Sequence, residues 1–400
     1  MLPLQGVTVI DMTRVLSGPF CAMILADFGA DVIKIEMTDG GDDARAFGPY
    51  QNGESAYFMS INRNKKSVAI NTKNPEGISL VKRLIEQADV VLDNFKPGTM
   101  EKIGLGYENV LRKINPKIIH CAISGYGQTG PWSSRPAYDA IVQAAGGIMS
   151  ITGKGPGEYT RVGASIGDIT AGLYAAVAIP LALMAREQTG EGQSIDIAML
   201  DCQLAILENA IARYFVKGEV PQPAGNRHQS ITPFENFVCA DGIHVMVAVG
   251  NDRLWEKFLV AAGHEELLKD ERFKTNPQRT ERYDEIRPYL VGIFKEHPAQ
   301  WWYDALVAVN VPVTFINTVD RVVTNEQVVA RNMIIKTNRD GIGDFYQANS
   351  PIKSTLMDSG LRFPAPFLGE HTQSVLQDRL GLSQEELTAL DSSGVIKIRR

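Results

Sequence analysis

Asp168 is the residue of this chain whose type and surroundings most favour covalent chemistry. It stands in Gly163-Ala-Ser-Ile-Gly-Asp-Ile-Thr170, directly before a strongly apolar stretch that reads as a helix. Two readings are open. Aspartate is among the best N-caps, so Asp168 could simply start the helix. The same place carries a partial positive charge that keeps a carboxylate ionised, and an ionised carboxylate can be a covalent nucleophile. Gly163 and Gly167 would let a bulky substrate approach the backbone.

A second group of residues could hold anions. Lys65 and Lys66 lie in the basic run Asn62-Arg-Asn-Lys-Lys-Ser67, just before a strand; Lys96 lies in the turn Asn94-Phe-Lys-Pro-Gly98 and Lys102 shortly after it. Loops at strand and helix ends are where α/β folds bind ligands, and lysine point charges suit phosphate. A ligand with several phosphates is one reading of this cluster; a solvated face is the other. Gly125-Tyr-Gly-Gln-Thr-Gly130 matches the dinucleotide fingerprint GxGxxG, but Pro131, Trp132, two serines, Arg135 and Pro136 follow it. That is loop chemistry, whereas a pyrophosphate site must open a helix. Nicotinamide binding is therefore disfavoured.

The elements that must position these residues alternate between strand and helix. Val7–Ile10 reads as a strand, Phe20–Phe28 as a helix closed by Gly29, and Asp31–Glu36 as the next strand. Ser67–Ile70 is a further strand, followed by a helix capped by Asn74 with Pro75 at its first position. Val90–Leu92, Ile118–Ile123 and the Ser194-Ile-Asp-Ile197 run continue the series. Such alternation predicts a parallel sheet covered by helices, an α/β, Rossmann-like fold. The Pro- and Gly-rich stretch Val220–His228 reads as a linker. The expected organisation is a large domain over 1–220, a linker and smaller α+β domain over 221–331, and a return to the large domain over 332–400.

Composition narrows the class. Hydrophobic residues make up 44% of the 400 and charged residues 22%, as in ordinary globular proteins. The net charge of −6 argues against a nucleic-acid binder. The four cysteines are scattered, with no CxxC, and the six histidines show no HxxxH, so neither a disulfide framework nor a metal site is expected. This fits a reducing, cytoplasmic compartment. No signal peptide is legible at Met1–Gly6. The longest apolar run, Ala171–Ala185, is shorter than the roughly 18 residues of a membrane span, and Pro180 interrupts it. A buried core helix is expected there, and no membrane partner.

Taken in order, these segments resemble the class III coenzyme A transferases, the CaiB/BaiF family. The resemblance runs over nearly the whole chain. It begins with Leu4–Pro19 and Leu25–Glu36 and passes through Asn94-Phe-Lys-Pro-Gly98, Gly104-Leu-Gly-Tyr107 and Ser124-Gly-Tyr-Gly-Gln-Thr-Gly-Pro131. It reaches Asp168 and closes with Phe367-Leu-Gly-Glu-His-Thr372. It implies an interlocked homodimer, acyl-CoA and small carboxylic acids as substrates, no resident cofactor, and Asp168 at the catalytic position. Lys65, Lys66, Asn94, Phe95 and Lys102 fall where the family lines its CoA nucleotide site, Tyr126 near the thioester end, and Val15 and Leu16 in the substrate loop. Leu16 replaces the catalytic glutamine of the formyl-CoA:oxalate enzymes, and the glycine-run loop of those enzymes is lacking near Gly225–Ser230. Both departures count against oxalate as the acceptor. The loop Asn226–Pro233 is closer to members that use succinyl-CoA and other dicarboxylates. Tyr138 stands where the family's α-methylacyl-CoA racemases carry their histidine base. A tyrosine is a poor base at neutral pH, so transfer is favoured over racemisation; a non-catalytic CoA-binding protein is the third alternative. A dicarboxylate acceptor needs a cation for its free carboxylate. Arg45, in Asp42-Asp-Ala-Arg-Ala46, is the candidate, with surface pairing to Asp42 or Asp43 as the alternative.

Overall fold

The structure, a computed structural model, describes residues 1–399. Six parallel strands form the main sheet: β1 (Thr8–Asp11), β2 (Asp31–Glu36), β3 (Lys65–Ile70), β4 (Val90–Asp93), β5 (Ile119–Ser124) and β6 (Gln193–Ala198). Their order across the sheet is 3-2-1-4-5-6, and the short strand Ile396–Lys397 adds antiparallel to the β3 edge. This is the doubly wound order, whose ligands bind beyond the strand C-termini where the order reverses, here between β1 and β4.

Period-2 alternation gives each strand two apolar faces. Val9, Val32 and Leu92 pack on one side against α1 (Ser17–Asp27) and later helices. Ile10, Ile33 and Val91 pack on the other against α2 (Pro75–Ile85) and the C-terminal segment around Leu376 and Leu387. Asn74 caps α2 through the Glu76 N–H at 2.8 Å, as its sequence predicts.

Helix α3 (Asp139–Ala145) precedes α4 (Ile166–Thr189), the longest helix. Two expectations about this apolar stretch are corrected. Helix α4 runs through Pro180 and, at 24 residues, is long and apolar enough by length and composition to cross a bilayer. Nor is it buried all round: Ala171, Ala175 and Ile179 are fully buried, while Leu173, Val177, Leu181 and Met184 are exposed along the opposite side.

The chain divides into two compact units, the first comprising Met1–Ile148, Val162–Ile211 and Glu326–Arg400, the second Met149–Arg161 and Ala212–Asn325. The segment 149–161 thus groups with the second unit rather than with the preceding residues. That unit holds a three-stranded antiparallel sheet (Phe234–Val238, His244–Ala248, Val313–Phe315) and an aromatic core in which Phe258 stacks on Trp255, Phe294 and Trp302.

Candidate active site

The site is built where the sheet order reverses. After β1 the chain turns sharply through Arg14, Val15 and Leu16 into α1. Val15 has φ = 67°, a conformation in which a β-branched residue is strained. Polar contacts hold it there. Its N–H donates to Asp42 Oδ1 at 2.9 Å, and the Arg14 N–H donates to Asn94 Oδ1, beyond β4, at 2.8 Å. Asp42 is in turn paired at 2.9 Å with Lys34, both side chains fully buried, and Lys34 Nζ also donates to the Thr13 carbonyl at 2.7 Å.

Two adjoining cavities of about 710 and 450 Å³ open at this turn and share Arg14, Phe95 and Thr99 in their walls. The larger is lined by Lys73, Lys82 and Lys102, by apolar Ile35, Ile78 and Ile103, and by Asn74 and Pro75 at the start of α2. Lysine charges and a helix N-terminus together suit phosphates. The smaller contains Asp168 together with Val15, Leu16, Asn94, Phe95 and Tyr138.

Asp168 is half-buried in the first turn of α4, whose N-cap is Ser165, so the capping reading is corrected: Asp168 lies three residues inside the helix. The expectation that the helix end keeps it ionised is also corrected. Burial first, and the charge of Asp139 second, push its carboxyl up to about 7, against a hydrogen bond from the Ser17 hydroxyl that pulls it down. Desolvation outweighs the partial charge of a helix end. Asp139 is placed by a bond from the Gly167 N–H to its Oδ1 at 2.8 Å, and Gln143 Nε2 donates to its Oδ2 at 2.8 Å. Gly167 is buried and does not line the cavity, contrary to the expectation that it would let a substrate approach the backbone. A Cβ there would lie 2.7 Å from Val142 Cγ2 and 3.1 Å from Asp139 Oδ1, so glycine is required for this packing.

Four sequence candidates line neither cavity. Successive residues of β3 point to opposite faces, so Lys65 and Lys66 cannot serve one ligand together. Lys65 is buried beneath the β1 turn, bonded to Asp11 at 3.0 Å and to the Pro19 carbonyl at 2.9 Å, and burial lowers its ammonium to about 8. Lys66 pairs with Asp31 at 2.7 Å. Arg45 makes a two-pronged ion pair with buried Glu36 (2.7 Å twice), donates to the Pro366 carbonyl and lies over the Phe58 ring at 3.6 Å, so its Nε and Nη2 donors are committed within the fold. Tyr126 is half-buried and packs edge-on against Trp132 at 5.4 Å; Ser124 and Gly125 form the cavity wall in its place. Tyr138, 77% exposed, stands at the lip of the smaller cavity.

Other residues come to the site without having been singled out. Lys73 directly precedes the Asn74 cap at the end of the β3 loop, a signal that could have been read. Ser17 and Arg135 carried no signal of their own. Arg135 lines the smaller cavity with its guanidinium 4.4 Å from the Trp132 ring, and among the described residues no carboxylate lies within ion-pair distance of it. Among the described residues there is also no group of three or more His, Cys, Asp or Glu side chains that could hold a metal ion.

The fold is of the doubly wound α/β class, with a lysine-lined cavity adjoining the one that holds half-buried Asp168. Comparison with known proteins supplies the family. The family model for CoA-transferase family III matches residues 4–372. The chain is 37% identical over 398 residues to succinyl-CoA:glutarate CoA-transferase of Mus musculus, covering 99% of this chain and 91% of that one. It is 40% identical over 370 residues to acetyl-CoA:oxalate CoA-transferase of Acetobacter aceti, covering 92% and 93%. Among solved structures, a CaiB/BaiF family protein from Brucella suis superposes with a TM-score of 0.84 at 38% identity, covering 94% of this chain and 99% of that one. The chain belongs to CoA-transferase family III.

Proposed function

We propose that this enzyme moves coenzyme A from an acyl-CoA donor, succinyl-CoA or another dicarboxylyl-CoA, to a dicarboxylic acid, with Asp168 as the covalent nucleophile. The observation that carries the reading is that the cavity holding Asp168 adjoins the lysine-lined cavity across a shared wall. A CoA nucleotide among Lys73, Lys82 and Lys102 would direct its pantetheine arm past Phe95 and Thr99 to the carboxylate. CoA is then a substrate and not a resident cofactor.

In the first step a carboxylate oxygen of Asp168 attacks the thioester carbonyl carbon, and the C–S bond breaks to give a mixed anhydride and the CoA thiolate. The thiolate attacks Cγ of Asp168, releasing the donor acid as its carboxylate and leaving an aspartyl-CoA thioester. The acceptor carboxylate attacks the same Cγ and expels the thiolate. Attack by that thiolate on the acceptor's acyl carbon yields the new acyl-CoA and restores Asp168. Two easier exchanges replace one hard one. A carboxyl near 7 serves this cycle, because it is ionised in good part at neutral pH and more basic than an ordinary carboxylate.

For the acceptor's free carboxylate, Arg135 replaces Arg45 as the proposed partner, since it lines the cavity of Asp168 and, among the described residues, no carboxylate lies within ion-pair distance of it. The relative named for oxalate keeps that acid in the test panel beside glutarate and succinate.

The exposed apolar side of α4 supports the proposed homodimer, because a contiguous apolar patch of this kind marks an association surface. Light scattering should then give about twice 43.9 kDa. A cytoplasmic, reducing setting is proposed on the four buried free thiols.

The chemistry is tested by incubating the enzyme with acyl-CoA alone and then with hydroxylamine. The aspartyl thioester should be trapped as a hydroxamate on the peptide carrying Asp168. Donor-dependent labelling of a different carboxylate would refute Asp168 as nucleophile.

A further inference from the structure

The segment that leads into Asp168, from Val162 to Gly167, is pinned at both ends to helix α3. At its start the Val162 N–H donates to Gln143 Oε1 at 2.8 Å, and at its end the Gly167 N–H donates to Asp139 Oδ1 at 2.8 Å. A third bond joins the two pins, from Gln143 Nε2 to Asp139 Oδ2 at 2.8 Å. Asp139 and Gln143 are one helical turn apart on α3, so their side chains meet on one face.

The directions of these bonds follow from the backbone. An N–H can only donate, so the Gln143 atom facing Val162 is the amide oxygen, and the NH2 must face Asp139. Both Asp139 oxygens then accept. Gln143 is fully buried and Asp139 is buried, and neither lines a cavity, so the three bonds are shielded from water and from substrate. Between the pins the chain turns tightly, the Ile166 N–H donating to the Ala164 carbonyl at 2.8 Å. A short segment held at both ends has little slack, and the residue directly after its second pin is Asp168.

We propose that Gln143 is a positioning residue for the nucleophile: its amide ties the Val162 end of this segment to Asp139, which holds the Gly167 end, and so keeps the Asp168 carboxylate aimed at the thioester carbonyl. The proposal rests on Asp168 being the nucleophile. Displacement of a reacting group by about 1 Å costs about a hundredfold in rate, so loss of the tie appears in kcat. A glutamine that merely packs would change Tm and leave the rate of the folded enzyme unmoved.

The test exchanges acid and amide. Gln143→Met removes both amide bonds, and Asp139→Asn sets one NH2 group against another, so each breaks the tie. The combined variant Asp139→Asn/Gln143→Glu restores it with the direction of the central bond reversed, and still offers oxygen acceptors to Val162 and Gly167. Turnover is measured with saturating acyl-CoA at pH 9, where Asp168, near 7 in the wild type, is ionised, and at a temperature where circular dichroism shows every variant folded. Gln143→Met and Asp139→Asn should each lose about tenfold or more in kcat with KM for acyl-CoA little changed, and the combined variant should return to within about threefold of the wild type. Where one of the first two does not fold, the other and the combined variant decide the matter. A folded Gln143→Met or Asp139→Asn enzyme with wild-type kcat, or a combined variant that recovers Tm and not kcat, would overturn the proposal. Hydroxylamine trapping on the wild type separates the two ideas. A label on Asp168 with unchanged kcat in the variants defeats the role of Gln143 alone, and the absence of that label defeats the nucleophile on which it rests.

Discussion

The carboxylates of Asp139 and Asp168 are neighbours across the amide of Gly167, and they repel. Asp139 accepts the Gly167 N–H at 2.8 Å, which anchors it beside the first turn of α4, and its charge adds to burial in raising the Asp168 carboxyl to about 7. The first two predictions follow from this pair.

Asp168→Asn should abolish turnover, because an amide cannot form the anhydride, and should also stabilise the protein at neutral pH. The sign follows from linkage. Asp168 is raised in the folded state above its ordinary 3.8, so the folded protein holds this proton more tightly than the unfolded chain does. Its contribution is most favourable below about 4 and is lost as pH rises through about 7. Melting curves should place the asparagine variant above the wild type at pH 8, with the difference vanishing near pH 4. A variant less stable than the wild type at pH 8 contradicts the burial described for Asp168.

Asp139→Asn should shift the rate profile. Removing the Asp139 charge lowers the Asp168 carboxyl, so the acidic limb of kcat/KM should move to lower pH. The asparagine oxygen can still accept the Gly167 N–H, but its NH2 cannot accept from Gln143 Nε2. An unpaired buried donor costs about 1–3 kcal/mol, so a lower Tm should accompany the shift.

Arg45→Ala and Arg135→Ala should separate a structural arginine from a substrate contact. Loss of Arg45 leaves Glu36 buried without its ion-pair partner, and breaking a buried pair costs about 3–5 kcal/mol. The expected result is a marked fall in Tm with no preference between acceptors. Loss of Arg135 should leave Tm nearly unchanged and raise KM for glutarate about tenfold or more relative to a monocarboxylate, as one charge-assisted contact of about 1.5–3 kcal/mol disappears. Equal KM changes for both acceptor types would remove Arg135 from the acceptor site.

Lys102→Ala should weaken donors that carry the CoA nucleotide. Lys102 lines the larger cavity near Lys82, which also faces Gly104. KM for acyl-CoA should rise about tenfold at low salt and less at high salt, where phosphate contacts are screened. The matching acyl-pantetheine, which lacks the nucleotide, should be unaffected. A rise for both donors would place Lys102 elsewhere than on the phosphates.

The fold was legible because local patterns determine it. Apolar β-branched runs such as Asp31–Glu36 alternate with helix signals such as Asn74-Pro75, and a chain with that alternation can bury its strands only in a covered parallel sheet. Lys102 was legible from its charge beside a turn at a strand end, where doubly wound sheets bind, whereas Val15, Leu16, Asn94 and Phe95 were marked by the family resemblance. Tertiary structure alone decided which charges face the ligand and in what state. Lys65 and Lys66 differ by one position on a strand and therefore by a whole face, and only the packing of α1 shows that the face of Lys65 is closed. Arg45 reads as a free cation until Glu36, nine residues away, folds against it. Asp168 reads as an ordinary ionised carboxylate until the surrounding protein displaces water from it and Asp139 sets a like charge beside it. Protonation and orientation depend on distance and desolvation in space, and residues that set both here lie tens of positions away along the chain.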